Sequence, residues 1–96
     1  MPSPEDLARL DARAEQAGAE HADRVLEMLA TFPADAAEEI LSMGERALDG
    51  ILDNVTGVLR EHTSTPEAEI EHFATLVRAA YGVRLAVVLM PAAGRG

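Results

Sequence analysis

The chain of 96 residues contains no cysteine, no lysine and no tryptophan. Without cysteine it can form no disulfide, no thiolate metal site and no cysteine nucleophile. Without lysine it lacks Schiff-base and phosphate-loop lysine chemistry, so its eight cations are all arginine. The lysine-free composition, rich in alanine, arginine and glycine, is typical of a GC-rich bacterial coding sequence.

Aromatic residues are also scarce, with one tyrosine and two phenylalanines. A core must therefore be built mainly from aliphatic side chains and alanine, and alanine and leucine favour helix. A chain of this length buries only about 60–65% of its unfolded surface, which makes an oligomer a reasonable expectation. We expect one helical domain over residues 1–96, with residues 91–96 as a flexible tail.

Acidic residues are absent from the last quarter of the chain. All 17 aspartates and glutamates lie in residues 1–71, whereas residues 72–96 carry three arginines and the apolar run Val83–Met90. A net charge of −9 argues against nucleic acid as a partner, since phosphate binding requires a clustered basic surface. The charge pattern is most simply that of a solvated acidic surface that keeps the protein soluble, and it is also compatible with pairing with a second copy or with a basic protein.

The sequence shows no segment that we would assign to export or membrane insertion. The first residues are polar and acidic, which predicts no signal peptide. The most apolar stretch, residues 74–93, contains Arg78 and Arg84, and each costs about 2.5–3.5 kcal/mol at the centre of a membrane helix. We therefore predict no membrane span and a cytoplasmic protein.

Helical periodicity and helix-end signals divide the chain into three segments. Ser3 and Pro4 fit the cap and first position of a helix, and Pro33 ends that helix. Pro66, after a threonine and serine turn, opens the third. The pattern predicts an all-α, three-helix antiparallel bundle that is dimeric, with helices over residues 4–31, 34–62, and 66–81 or further.

The path of residues 83–90 leaves two hypotheses open at Gly82. If Gly82 caps the third helix, the valine-rich run that follows forms a strand. An isolated strand is not stable, so this strand would pair with another subunit. If the helix continues, Leu85, Val88 and Leu89 extend its apolar face and its length matches the other two.

The apolar end of the chain is the predicted interface. No phosphate loop or Gly-x-Ser-x-Gly motif is present, and we predict no enzymatic activity and no cofactor. The sequence indicates a small acidic module for oligomerisation or protein–protein interaction; an inhibitor of a basic protein is an alternative. The predicted interface residues are Phe73, Val77, Arg78, Tyr81, Val83, Arg84, Leu85, Val87 and Leu89.

Metal binding is a further alternative. Glu69 and His72 have the Glu-x-x-His spacing of ferritin-like di-iron helices, so a half-bundle could bind metal if neighbouring helices supplied glutamates. Glu15, Glu20 and Glu27 are the candidate donors. A helical wheel, however, turns Glu69 and His72 away from the apolar face of the third helix. Of the other two histidines, His21 is expected to pack in the bundle and His62 to lie exposed at a helix end.

Overall fold

The structure is a computed structural model that describes residues 3–89. These residues form three α-helices, α1 (Pro4–Thr31), α2 (Ala37–His62) and α3 (Glu67–Leu89), and a 3-10 turn (Ala34–Ala36) precedes α2. Residues 3–89 contain no strand. The predicted all-α three-helix bundle is confirmed, and the first two helices lie close to their predicted bounds.

The start of α1 is fixed by a capping box. The backbone N–H of Asp6 donates to the Ser3 hydroxyl at 3.2 Å, and the Ser3 N–H donates to the Asp6 carboxylate at 3.3 Å. These bonds lower the pKa of Asp6, the Ser3 backbone N–H having the larger effect and its hydroxyl the smaller. Pro4 fills the first helical position, where no N–H bond is lost. The local sequence therefore sets the start of α1.

The third helix runs without interruption through Gly82 to Leu89. No glycine among the described residues has a positive φ, so Gly82 is a helical residue rather than a C-cap. Continuation of the helix is thus correct over residues 83–89, and the intersubunit strand is wrong there. Met90 and the predicted tail at residues 91–96 lie outside the described residues.

Consecutive helices are antiparallel, so α1 and α3 run parallel. Asp11 contacts His72 and Asp23 contacts Arg84, and each pair is separated by 61 positions in the sequence. The alignment of α1 with α3 is therefore the same at both contacts. α1 packs against α3 far more extensively than α2 packs against either helix, in a body of 48 × 26 × 17 Å.

The core lies between the three helices and corrects part of the predicted interface. Phe73, Val77 and Tyr81 are only 6%, 2% and 5% exposed. They form the face of α3 that packs against α1 and α2, so they are not available to a partner. The remaining buried apolar side chains are Ala14, Ala22, Val25, Ile40, Leu48, Leu52 and Ile70.

Two glycines permit close approach of the helices. A Cβ atom at Gly18 would overlap the Val77 carbonyl oxygen and lie 2.9 Å from the Ala80 Cβ, so α1 and α3 meet where α1 has no side chain. A Cβ at Gly44 would lie 2.7 Å from a Val25 methyl and 2.9 Å from the Tyr81 hydroxyl. A Cβ at Gly57 would have no neighbour within 4 Å, so that glycine has no such role within the chain.

Candidate functional site

The third helix is apolar on two faces, of which the bundle buries one. Its outer face carries Leu76, Ala79, Ala80, Val83 and Val87, at spacings of three and four residues. Val83 and Val87 are 63% and 62% exposed. Leu76 and Ala80 are half-buried, and Leu76 packs against the core. The core does not need the exposed remainder of this face, which consists of Ala79, Val83 and Val87.

This outer face forms one wall of a groove against α1. α1 contributes Glu15 and Ala19, and α3 contributes Leu76, Ala79, Ala80, Val83, Arg84 and Val87. We call this surface the α1–α3 groove. Its volume is about 440 Å³, and Glu15 and Arg84 are its two charged residues. The groove is therefore a shallow apolar site with one carboxylate and one guanidinium.

Exposed large apolar side chains concentrate near the groove at the end of α3. Val83, Val87, Val88 and Leu89 are between 48% and 63% exposed and lie within seven consecutive residues. The other exposed large apolar side chains of residues 3–89 are distributed along α2 and the turn before it: Phe32, Met43, Ile51 and Val58. A concentrated apolar patch of this kind marks an interaction surface more strongly than dispersed residues do.

The other predicted interface residues differ in their surroundings. Val83, Val87 and Leu89 are exposed, and Leu85 is half-buried against the core. Arg78 contacts the carboxylate of Asp49 in α2, while the Arg84 Nε donates to an Asp23 carboxylate oxygen at 2.8 Å. Both arginines therefore already have acidic partners within their own chain.

Sequence reasoning missed the part of the groove nearest the middle of α3. The predicted interface includes Phe73, Val77 and Tyr81 but leaves out Leu76, Ala79 and Ala80, which line the groove. The signal was present in the sequence, since Leu76, Ala80, Val83 and Val87 alternate at spacings of four, three and four. A helix with two such series does not reveal which one the bundle buries.

A second groove lies between α2 and α3. Its volume is about 420 Å³, and its lining includes Glu45, Asp49, Arg78, Tyr81 and Leu85. This groove is more polar than the α1–α3 groove, and its arginine is held by Asp49. Its walls thus offer less apolar surface for another helix.

Beneath the second groove, Tyr81 packs against His21 with ring centroids 5.2 Å apart. The Nε2 atom of His21 lies 2.8 Å from the Gly44 carbonyl oxygen, a hydrogen bond that joins α1 to α2. The Tyr81 hydroxyl and His21 Nδ1 are buried and have no hydrogen-bond partner within residues 3–89. Burial raises the pKa of Tyr81, and the charge of Glu45 adds to the shift. His21 thus packs in the bundle, as its sequence position predicted.

The residues of the metal hypothesis are not brought together with further ligands. Glu69 is half-buried and His72 is exposed, with its Nε2 3.7 Å from an Asp11 carboxylate oxygen. Within residues 3–89, no group of three or more histidines, aspartates or glutamates is placed to hold a metal ion. The candidate donors Glu15, Glu20 and Glu27 do not complete a site, and the geometry gives the metal alternative no support.

The third helix also has the dimensions of a membrane span. Within the described residues it is the one helix long and apolar enough to cross a bilayer, with a mean hydropathy of 1.3 in its most apolar window, 17% of which is buried. Core helices of soluble proteins meet the same criteria, so this is weak support for a span. Arg78 and Arg84 lie inside the helix and form ion pairs with α2 and α1. The absence of a membrane span stays a prediction.

Comparison with known proteins gives no functional assignment. No protein-family model, curated protein or solved structure matches this chain. The α1–α3 groove and the charges around it are therefore the features of this molecule from which a function can be inferred.

Proposed function

We propose that this protein is a non-enzymatic helical module that associates with itself through the α1–α3 groove. One observation carries the proposal: the outer face of α3 is apolar over several turns, yet Val83 and Val87 are more than three-fifths exposed. Self-association would remove this face from water, which is the main favourable term in protein association.

The absence of acidic residues from α3 beyond Glu71 supports this proposal. The acidic residues of the chain all precede position 72, so no carboxylate of α3 interrupts its outer face. Charged residues are depleted from the buried centre of protein interfaces because desolvating them is costly. The distribution of charge thus leaves one strongly apolar surface on an otherwise acidic molecule.

The size of the groove indicates a weak association. Fully burying a valine contributes about 1.5–3 kcal/mol, and Val83 and Val87 are about three-fifths exposed, so their four copies in a dimer contribute roughly 4–7 kcal/mol. Association costs an estimated 4–15 kcal/mol in lost freedom of motion. These terms are similar in size, so we expect a weak dimer with a dissociation constant in the high micromolar to millimolar range.

Sedimentation equilibrium of the full chain up to millimolar concentration tests the proposal. We expect the unaltered protein to dimerise and a Val83→Glu, Val87→Glu variant to stay monomeric, because two carboxylates would have to be desolvated in each groove. A matched control is Met43→Glu, Val58→Glu, which places the same charges on α2 at positions 48% and 53% exposed. The control should dimerise like the unaltered chain.

Two results would contradict the proposal. The first is an unaltered chain that stays monomeric throughout the concentration range. The second is equal loss of association in the α3 variant and the α2 control, which would indicate a general effect of charge. Circular dichroism of each variant establishes that the bundle is intact before the comparison is made.

A further inference from the structure

The register between α1 and α3 places the two charges of the groove at different heights. The His72–Asp11 and Arg84–Asp23 contacts share an offset of 61 positions, and the same offset sets Glu15 beside Leu76. Arg84 is eight residues further along α3, about 12 Å at the rise of an α-helix. The groove therefore has a carboxylate towards one end and a guanidinium towards the other.

A surface with opposite charges at its two ends is complementary to itself when it is turned end for end. The midpoint between positions 76 and 84 of α3 is Ala80. A two-fold axis through this level, perpendicular to the helices, brings Glu15 of each copy to the height of Arg84 of the other. An isologous interface repeats each contact twice, so one complementary pair yields two.

From these observations we infer that a second copy of the chain docks antiparallel in the α1–α3 groove, about a two-fold axis at Ala80. This inference rests on the proposed function and specifies its geometry. In this arrangement α3 packs against α3 of the partner, and each Arg84 lies between its own Asp23 and the partner's Glu15. A guanidinium has five N–H donors and can bind two carboxylates.

The apolar residues of the outer face also fit this arrangement. The axis lies at the level of Ala79 and Ala80. Ala79 is exposed and its small side chain allows a second helix to approach closely, whereas Ala80 is half-buried beside Gly18 of its own α1. Because the axis is at position 80, a residue of one copy faces the residue of the other copy that lies about equally far on the opposite side of position 80. Leu76 of one copy therefore lies against Val83 of the other. The two Leu76–Val83 contacts thus lie on either side of the axis, and the small residues lie between them. Interlocking of large and small side chains is what close helix packing requires.

A second copy is favoured over an anionic membrane or a basic protein as the occupant. The groove holds one charge of each sign, whereas an anionic lipid surface or a basic protein would be expected to face a surface of one sign. Two copies of the chain together carry a net charge of about −18, so a dimer requires an interface that avoids the acidic surfaces. The groove is such a surface.

Disulfide mapping tests the axis directly, because the chain has no cysteine of its own. A disulfide requires Cα atoms within about 7 Å. In the antiparallel dimer the two copies of residue 79 are offset by only about 3 Å along the helices, compared with about 9 Å for residue 83 and about 21 Å for residue 87. We expect fast crosslinking of Ala79→Cys and slow crosslinking of Val83→Cys and Val87→Cys.

The crosslinking series contains its own controls. Ala79, Val83 and Val87 all line the groove and are exposed, so a cysteine at each is accessible. Ala47→Cys, on the exposed side of α2, measures random collision. If α3 packed in parallel, all three groove positions would be equally close. Equal crosslinking at all three, or crosslinking at residue 79 no faster than at residue 47, overturns the inference.

A charge-reversal cycle tests the pairing of Glu15 with Arg84. It is made in an Asp23→Asn background, so that the charge at position 84 is sensed by the partner chain alone. Glu15→Arg or Arg84→Glu should each weaken dimerisation about tenfold, because two reciprocal contacts become repulsive. The double variant should return to within about twofold of the background.

The outcomes separate this inference from the proposed function. The charge pairing is wrong if the double variant associates more weakly than both single variants. It is also wrong if 0.5 M salt leaves unchanged the loss of dimer affinity caused by each single substitution. If the dimer fails the crosslinking or charge-reversal tests but is disrupted by Val83→Glu, Val87→Glu, the antiparallel geometry is wrong and the proposed function still holds. A monomer that floats with phosphatidylserine vesicles overturns both.

Discussion

Gly18 and Gly50 both lie in helices but in opposite surroundings. The α1 backbone touches α3 at Gly18, whereas a Cβ at Gly50, on the exposed side of α2, would have no neighbour within 4 Å. A glycine in a helix raises the free energy of the folded state by about 0.5–1 kcal/mol relative to alanine. At Gly18 this cost is offset by close packing, and at Gly50 nothing in the described chain offsets it.

Alanine substitution should therefore have opposite signs at these two positions. Gly50→Ala is expected to raise the free energy of unfolding by about 0.5–1 kcal/mol through helix propensity. Gly18→Ala is expected to lower it by about 1–3 kcal/mol, because backbone atoms of α3 must move. Urea denaturation of both variants measures the effect, and a stabilising Gly18→Ala would show that the helices are not in close contact there.

Ionisation of Tyr81 is expected to lower the stability of the bundle at alkaline pH. Burial, and then the charge of Glu45, raise its pKa above the usual value of 10.0. The folded state therefore holds the phenolic proton to higher pH than the unfolded state does. Its contribution is fully present below about pH 10 and is lost as the pH rises through the folded pKa.

Ultraviolet absorbance of tyrosinate measures this titration, since Tyr81 is the single tyrosine of the chain. We expect the absorbance of the folded protein to rise at a higher pH than in urea. Tyr81→Phe should remove the tyrosine part of the alkaline loss of stability while keeping the ring in the core. Identical titration curves in the folded and unfolded states would contradict the buried placement of the hydroxyl.

At the scale of the helix, α3 shows why an apolar pattern alone does not define a core. Its face at Ile70, Phe73 and Val77 packs inside the bundle, while the face at Val83 and Val87 stays exposed. Because both faces repeat at helical spacing, the helix is continuous through Gly82 and carries apolar residues most of the way round.

The continuity of α3 can be tested at Gly82, where an added Cβ would have no neighbour within 4 Å. In a helix, Gly82→Ala should raise the free energy of unfolding by about 0.5–1 kcal/mol. If Gly82 were a left-handed cap before a strand, the same change would lower the stability. Urea denaturation of Gly82→Ala, compared with Gly50→Ala, distinguishes the two, and a destabilised variant would contradict the continuous helix.

In the molecule as a whole, α1 and α3 form a closely packed parallel pair, and α2 covers one side of it. Gly18 lets the pair approach, and the Asp11–His72 and Asp23–Arg84 contacts flank that crossing. α2 makes fewer close contacts with either helix. Regions with fewer packing contacts open at lower free energy than the rest of a protein.

Hydrogen exchange should therefore distinguish the helices. We expect the central amides of α1 and α3 to exchange more slowly than those of α2, measured by mass spectrometry at a protein concentration where the chain is monomeric. Repeating the measurement at high concentration should slow exchange further in residues 76–87 if the groove becomes buried. Equal protection of all three helices at low concentration would contradict the closer pairing of α1 with α3.

Local signals along the chain are sufficient to predict the class of fold and the ends of the first two helices. The Ser3 cap, Pro4 and Pro33 act through local backbone chemistry, and the alternation of apolar residues at three and four positions sets a helical period. These signals depend on neighbours along the chain, so they can be read without knowing the packing. The same holds for the chemistry that the chain lacks, such as that of cysteine and lysine.

The packing of the three helices against one another sets which face of α3 is buried and which is exposed. The crossing at Gly18 sets the rotation of α3 against α1, and that rotation turns Phe73, Val77 and Tyr81 inward and Val83 and Val87 outward. The same packing gives Arg84 a partner in Asp23 and aligns Glu15 with Leu76. Burial depends on residues far apart in the chain, so the pattern within one helix does not by itself establish how much of each apolar face is covered.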